Sequence, residues 1–321
     1  MNMLRFTALG WFVGLTMAMC GPMANAQTER PVRMVVPFPP GSATDLAARV
    51  IGAQLQIALG QTFVIDNKPG AGGSIGAMEV VRAAPDGHTL LFSSNSAAAS
   101  NVALLKSMPY DPLKDLSPVS GIGETALALL VKTSHPAKDL KEFIAWVKQR
   151  PGKVSAGHGS SSAQISIAML NKGAGLDALL VPYKGIPLAV NDVVGGTLDF
   201  TFADLGNSMA QVKGGNLKAL AVTSLARNPL VADWPPMADA IVGYDINAWF
   251  AVLGPANLPK PVVDKLNAAF AKVLAMAEVK DKLAGIGVVP MALTPERLKV
   301  FLAAEVGKWQ RLAKDANIQP E

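Results

Sequence analysis

Short apolar runs and stretches of helical spacing alternate along almost the whole of this chain. Val32–Val36, Phe63–Asp66 and Thr89–Phe92 read as strands, with helices over 44–59 and 74–84 between them. Strands at Ala126–Val131, Val154–Ala156, Ala178–Val181, Leu198–Phe202, Leu217–Val222 and Ala248–Leu253 follow, interleaved with helices at 140–148, 163–172, 187–194 and 207–213. In the first helix Leu46, Val50, Ala53 and Ile57 form the expected inward stripe; in the helix at 140–148, Phe143, Ile144 and Val147 do so. Residues 93–101, rich in serine, alanine and asparagine, are expected to be a loop and a short helix. Residues 227–245 are turn-rich, and 260–316 mostly helical, with Thr294-Pro295 as the cap and first residue of the last helix. The alternation predicts an α/β fold with parallel sheets. No long linker separates two halves, so two lobes require the chain to cross between them more than once, with 126–131 and 248–253 as candidate crossings.

The N-terminus changes what counts as the folded chain. Arg5, the apolar run Phe6–Met19 and Ala24-Asn25-Ala26 read as an export signal over residues 1–26, with the mature chain starting at Gln27. Cys20 raises a lipoprotein anchor, but Met19 stands where such anchors need a small residue, so the downstream A-x-A is preferred. Removing the signal removes the only cysteine, so stability must come from a buried core rather than disulfides. The net charge of +5 is spread thinly, with no basic run interleaved with aromatics, which argues against nucleic acid.

Three small-residue loops carry the candidate chemistry, each between a strand and a helix. The first is Pro37-Phe38-Pro39-Pro40-Gly41-Ser42, where proline stops the strand and Ser42 and Thr44 suit a helix start. The second is Asn67-Lys68-Pro69-Gly70-Ala71-Gly72-Gly73, and the third Gly157-His158-Gly159-Ser160-Ser161-Ser162. A helix N-terminus opening from such a loop offers unpaired N–H groups to an anion. Any one loop is equally an ordinary cap or turn; three in one chain favour a polar, anion-accepting cleft beyond the strand ends. Asp45 fits a general base or a partner for the helix dipole, and Asp204, at a strand end, fits a ligand amine or hydroxyl or a helix cap.

Other chemistries fit less well. Gly72-Gly73-Ser74-Ile75-Gly76 matches the nucleophile elbow G-x-S-x-G, so an exported serine hydrolase using Ser74 is the alternative of a different class. Five residues separate it from the preceding strand, and the last histidine is His158, too early for the triad order. Gly70, Gly72 and Gly76 miss the dinucleotide spacing, and no cofactor is expected. His88, His135 and His158 lack metal-ligand spacing, and no metal is expected.

Taken together, Val35-Val36-Pro37-Phe38-Pro39-Pro40-Gly41 with Thr44-Asp45, the Asn67–Gly73 loop, Ala84-Pro85-Asp86-Gly87, Tyr110-Asp111-Pro112, Val181-Pro182-Tyr183-Lys184-Gly185, Leu217–Thr223 and Lys308-Trp309 resemble the Bug family, the periplasmic substrate-binding proteins of tripartite tricarboxylate transporters. The resemblance runs from about Arg30 to Ile318. It implies a two-domain, periplasmic-binding-protein-like (Venus flytrap) fold: domain 1 over 27–125 and 254–321, domain 2 over 126–253, and hinge strands near 126–131 and 248–253. It implies a periplasmic monomer, not an enzyme, that captures a small carboxylate such as an organic acid or amino acid for membrane permease subunits. Ligand contacts are implied for Phe38, Gly41, Ser42, Thr44, Asp45, Gly72, Ser74, Ser94, Ser160, Ser162 and Asp204. The chain departs from the family pattern at Ser42, where a second glycine is commoner, at Ser74, often asparagine, and at Ala163, often histidine.

Overall fold

The computed structural model describes residues 30–320, so the expected export signal lies outside the described residues. The first segment runs β1 (Val32–Val36), α1 (Ala43–Leu59), β2 (Phe63–Asn67), α2 (Ser74–Val81) and β3 (Thr89–Ser94), with the strands parallel in the order β2-β1-β3. A π-helical turn at Ser96–Ser100 and the short α3 (Asn101–Leu104) lead into β4 (Leu116–Lys132). The middle of the chain supplies α4 (Leu140–Lys148), β5 (Ser155–His158), α5 (Ser161–Ala174), β6 (Leu179–Pro182), α6 (Ile186–Gly195), β7 (Phe200–Asp204), α7 (Leu205–Lys213) and β8 (Leu217–Val222). The last segment is β9 (Asn247–Pro255), α8 (Lys260–Ala275), α9 (Ala277–Gly285), β10 (Val289–Leu293) and α10 (Pro295–Asp315).

β4 joins the two lobes. Its first part, Leu116–Ala126, pairs antiparallel with β9, which pairs in turn with β3. Its remainder, Leu127–Lys132, pairs with β7 on one edge and β8 on the other, and β7 continues through β5 to β6. The chain returns beside this point: the Ile246 N–H donates to Thr223 O, while the next residue, Asn247, lies opposite Ala126. Thr223 Oγ1 also accepts from the Leu127 N–H at 2.8 Å, so one buried threonine ties the two crossings together. Met34, Ile51, Leu55, Phe92 and Phe270 fill the first core; Phe143, Phe200 and Phe202 pack edge-on in the second. No helix among the described residues is long and apolar enough to cross a membrane.

Several elements differ from the sequence reading. In α1 the buried face is Ala47, Ala48, Ile51, Gly52 and Leu55, whereas Ile57, expected inside, is 76% exposed. Both faces satisfy helical periodicity; the small one wins because it lets the helix approach the sheet, with Gly52 lying against Ile65. β4 begins ten residues before the expected strand, because its first part pairs with β9, and Gly121 and Gly123 there make room for β10 to pass. β10 itself is a strand the sequence reading lacks, being a half-exposed edge strand with a proline at its second position. Thr294 does cap α10, its Oγ1 accepting from the Arg297 N–H.

Candidate functional site

The loop after β1 is held in shape by charge and backbone geometry together. Gly41 sits at φ +81°, a left-handed conformation that strains any side chain. Its N–H donates to Asp45 Oδ2 at 2.9 Å, and Asn67 Nδ2 donates to both Asp45 Oδ1 and Phe38 O. Arg49 completes the set around Asp45. Burial alone would raise the Asp45 carboxyl, but the bonds from Arg49, Gly41 and Asn67 outweigh it and hold it below the ordinary carboxylate range. Asp45 is therefore an ionised brace, with its oxygens already engaged. Ser42 caps α1 by accepting from the Asp45 N–H, and the first intrahelical bond is Leu46 N–H to Ser42 O. That pattern leaves the Ala43 and Thr44 N–H groups directed out of the helix end.

The second lobe presents an equivalent end. Ser160 caps α5, accepting from the Ala163 N–H at 3.3 Å, and the Ser161 N–H is taken by Ser96 Oγ across the interlobe contact. Asp204 ends β7 and caps α7 through Oδ1, which accepts from the Asn207 N–H at 3.2 Å and from its side-chain amide at 2.9 Å. Burial raises the Asp204 carboxyl above the ordinary range, with the Asn207 bonds opposing.

Between the walls lies a cavity with about 420 Å³ of space free of atoms, part of it continuous with solvent. The part of it roomy enough for a water-sized molecule is about 40 Å³. Phe38, Ser42, Thr44, Ser94, Ser160, Ser162 and Asp204 all border it. Four other residues implied by the resemblance do not line it. Gly41 and Asp45 shape the loop behind it. Gly72 borders a neighbouring interlobe opening with His158, Tyr183 and Lys184. Ser74 is buried, and its Oγ accepts from Asn101 Nδ2 at 3.3 Å. Ser74 has ordinary helical angles (φ −65°, ψ −29°), and its hydrogen bond comes from an asparagine, not a histidine, so no nucleophile elbow is formed.

Sequence reasoning missed Asn95, Thr125, Leu127, Ile186 and Phe250 on the cavity wall. Asn95 belongs to the stretch that reads as low complexity, yet residues 95–101 are wholly buried, because they are packed against α10 of their own lobe and meet the start of α5 across the cleft. Asn95 Nδ2 donates to Ser161 Oγ and Ser162 Oγ, and Ser96 and Ser100 also bond Ser161 Oγ. Runs of small hydroxyl residues on both sides of an α/β cleft were the available signal. Electrostatically the cavity depends on helix ends: no lysine, arginine or histidine is among its lining residues. His158, in the adjoining opening, is pushed down by burial to about 4 and is neutral at neutral pH.

Residues 47–318 match the family described as the tripartite tricarboxylate transporter family receptor. The chain is 35% identical to protein BugT of Bordetella pertussis, over 98% of each sequence. Among solved structures it is similar to Rpa4515 of Rhodopseudomonas palustris with adipate, at 32% identity and a TM-score of 0.89, covering 92% of this chain and 100% of that one. It is likewise similar to MatC of the same species with bound malate, at 33% identity and a TM-score of 0.82, covering 88% and 99%. The architecture is thus shared along nearly the full described length, and the chain belongs to the tripartite tricarboxylate transporter receptor family, the Bug proteins.

Proposed function

We propose that this protein is a non-enzymatic periplasmic receptor that closes on a small carboxylate and delivers it, as a monomer, to the membrane permease of a tripartite tricarboxylate-type transporter. The observation that carries the reading is the cavity bounded by the starts of α1 and α5, with hydroxyls around it and no cation in its lining. Such a site holds an anion by N–H groups and helix dipoles. The adipate and malate of the two structural neighbours support a carboxylate. The strand pairing supports a hinge at Ala126/Leu127 and Ile246/Asn247, which puts all of β9 with the first lobe.

A thermal-shift screen of carboxylates beside an esterase assay on the same preparation tests this reading. Stabilisation by a carboxylate without ester turnover is expected; ester hydrolysis lost in Ser74→Ala would overturn it. Thr44→Ala and Ser160→Ala should each weaken carboxylate binding by about tenfold, the value of one hydrogen bond to a charged ligand. Ser160→Ala should also lower stability by about 1 kcal/mol through loss of its cap, whereas Thr44→Ala should not. Calorimetry showing both variants unchanged in affinity would count against this pocket.

A further inference from the structure

The cavity is chemically unequal along its walls. The start of α1 brings the Ala43 and Thr44 N–H groups and the Thr44 hydroxyl, whereas the start of α5, where Ser96 and Ser160 already take the Ser161 and Ala163 N–H groups, brings chiefly the hydroxyls of Ser160 and Ser162. The start of α7 brings Asp204 instead, so the third helix end is already compensated by a built-in carboxylate. Asp204 is 7% exposed; its Oδ1 is occupied by Asn207, while its Oδ2 receives no hydrogen bond from the described residues. The other residues lining the cavity are all uncharged; they include the apolar Leu127, Ile186, Ala248 and Phe250 as well as the polar Asn95 and Thr125. No other described residue supplies a donor or a cation to this oxygen, so it is open to a donor on the ligand.

Resting on the carboxylate reading above, we propose that Asp204 selects the ligand's second functional group. The preferred ligand is a monocarboxylic acid bearing a hydrogen-bond donor, an ammonium or a hydroxyl, rather than an acid with a second carboxylate. The ligand carboxylate lies at the ends of α1 and α5, its donor meets Asp204 Oδ2, and the apolar part between them packs on Phe38, Leu127, Ile186 and Phe250. An ammonium leaves the loaded site with one net negative charge, whereas a hydroxyl leaves it with two. A second carboxylate would face Asp204 with like charge in a site stripped of water, and one of the two would have to take up a proton. Adipate and malate are both dicarboxylates, so this chain would differ in preference from those two neighbours.

Calorimetry at neutral pH on the mature protein tests the assignment with matched acids. The six-carbon set is hexanoate, 6-hydroxyhexanoate, 6-aminohexanoate and adipate; the four-carbon set is butyrate, 4-hydroxybutyrate, 4-aminobutyrate and succinate. The hydroxy or amino acid should bind at least about tenfold more tightly than the dicarboxylate of equal length, a difference of about 1.4 kcal/mol. Asp204→Asn keeps the helix cap and should erase that preference while raising dicarboxylate affinity. A larger gain for the amino acid identifies ion pairing, and equal gains identify hydrogen bonding alone; both support the assignment. A wild-type preference for dicarboxylates, equal binding of the unsubstituted acids, or an unchanged ranking in Asp204→Asn overturns it and leaves the carboxylate reading standing. Failure of every acid in both sets to bind overturns the carboxylate reading itself, and the assignment with it.

Discussion

Gly185→Ala should leave the protein folded and lower its affinity for carboxylate by about ten- to a hundredfold, or about 1.4–2.8 kcal/mol. Gly185 immediately precedes Ile186, a cavity residue at the start of α6. Its φ of 179° is extended, so alanine meets no backbone strain. A Cβ there would lie 2.4 Å from Pro39 Cγ and 2.5 Å from Pro39 Cδ, and Pro39 belongs to the loop of the opposite lobe. Carbon atoms rest at about 3.5–4.0 Å, so the lobes must part by about 1 Å at this point. The ligand then keeps the wall that first captures it and loses contacts to the other, which is where closure gains its stability. Thermal melting without ligand should stay close to wild type, since an open protein does not make this contact. Unchanged affinity in Gly185→Ala would mean that the approach of Pro39 to Gly185 is not part of the bound state.

Glu305→Ala should cost about 3–5 kcal/mol of stability, on the order of 10 °C in Tm for a chain of this size. Glu305 Oε2 accepts from both Trp249 Nε1 at 2.6 Å and Trp309 Nε1 at 2.9 Å, and all three residues are buried. Alanine would strand two indole N–H groups and open a cavity beneath them, and each buried, unsatisfied donor costs about 1–3 kcal/mol. Glutamine retains an oxygen able to accept both bonds, so Glu305→Gln should lose much less, about 1 kcal/mol. The consequence reaches the site. Trp249 lies on β9 between Ala248 and Phe250, which line the cavity, so α10 secures the strand from behind while its other face borders the cavity. Equal losses in the alanine and glutamine variants would show that this shared acceptor is not what holds α10 to β9.

Much of this was legible in the sequence because the signals were local. Proline at 37, 39 and 40, the Ser42 cap and the Thr294-Pro295 start all act within a few residues of themselves, and each marks the element end that is observed. The inner face of α1 was not legible, because Leu46–Ile57 and Ala47–Leu55 both fit the period and only closeness to the sheet separates them. Nor was the length of β4, whose first part is set by partners more than a hundred residues away. At the site, Asp45 and Ser74 have the right chemistry in the right loops, yet their side chains are spent on Arg49, Gly41, Asn67 and Asn101. Asn95 shows the converse. Its importance comes from a meeting with Ser161 and Ser162 that no spacing along the chain encodes.

A ligand held between two lobes should draw them together, and small-angle X-ray scattering measures that motion directly. Mature wild-type protein should show a smaller radius of gyration at saturating concentration of the carboxylate that most raises its melting temperature, with Gly185→Ala compacting less at equal occupancy. An unchanged radius of gyration in wild type, with calorimetry confirming saturation in the same sample, would contradict closure around the ligand.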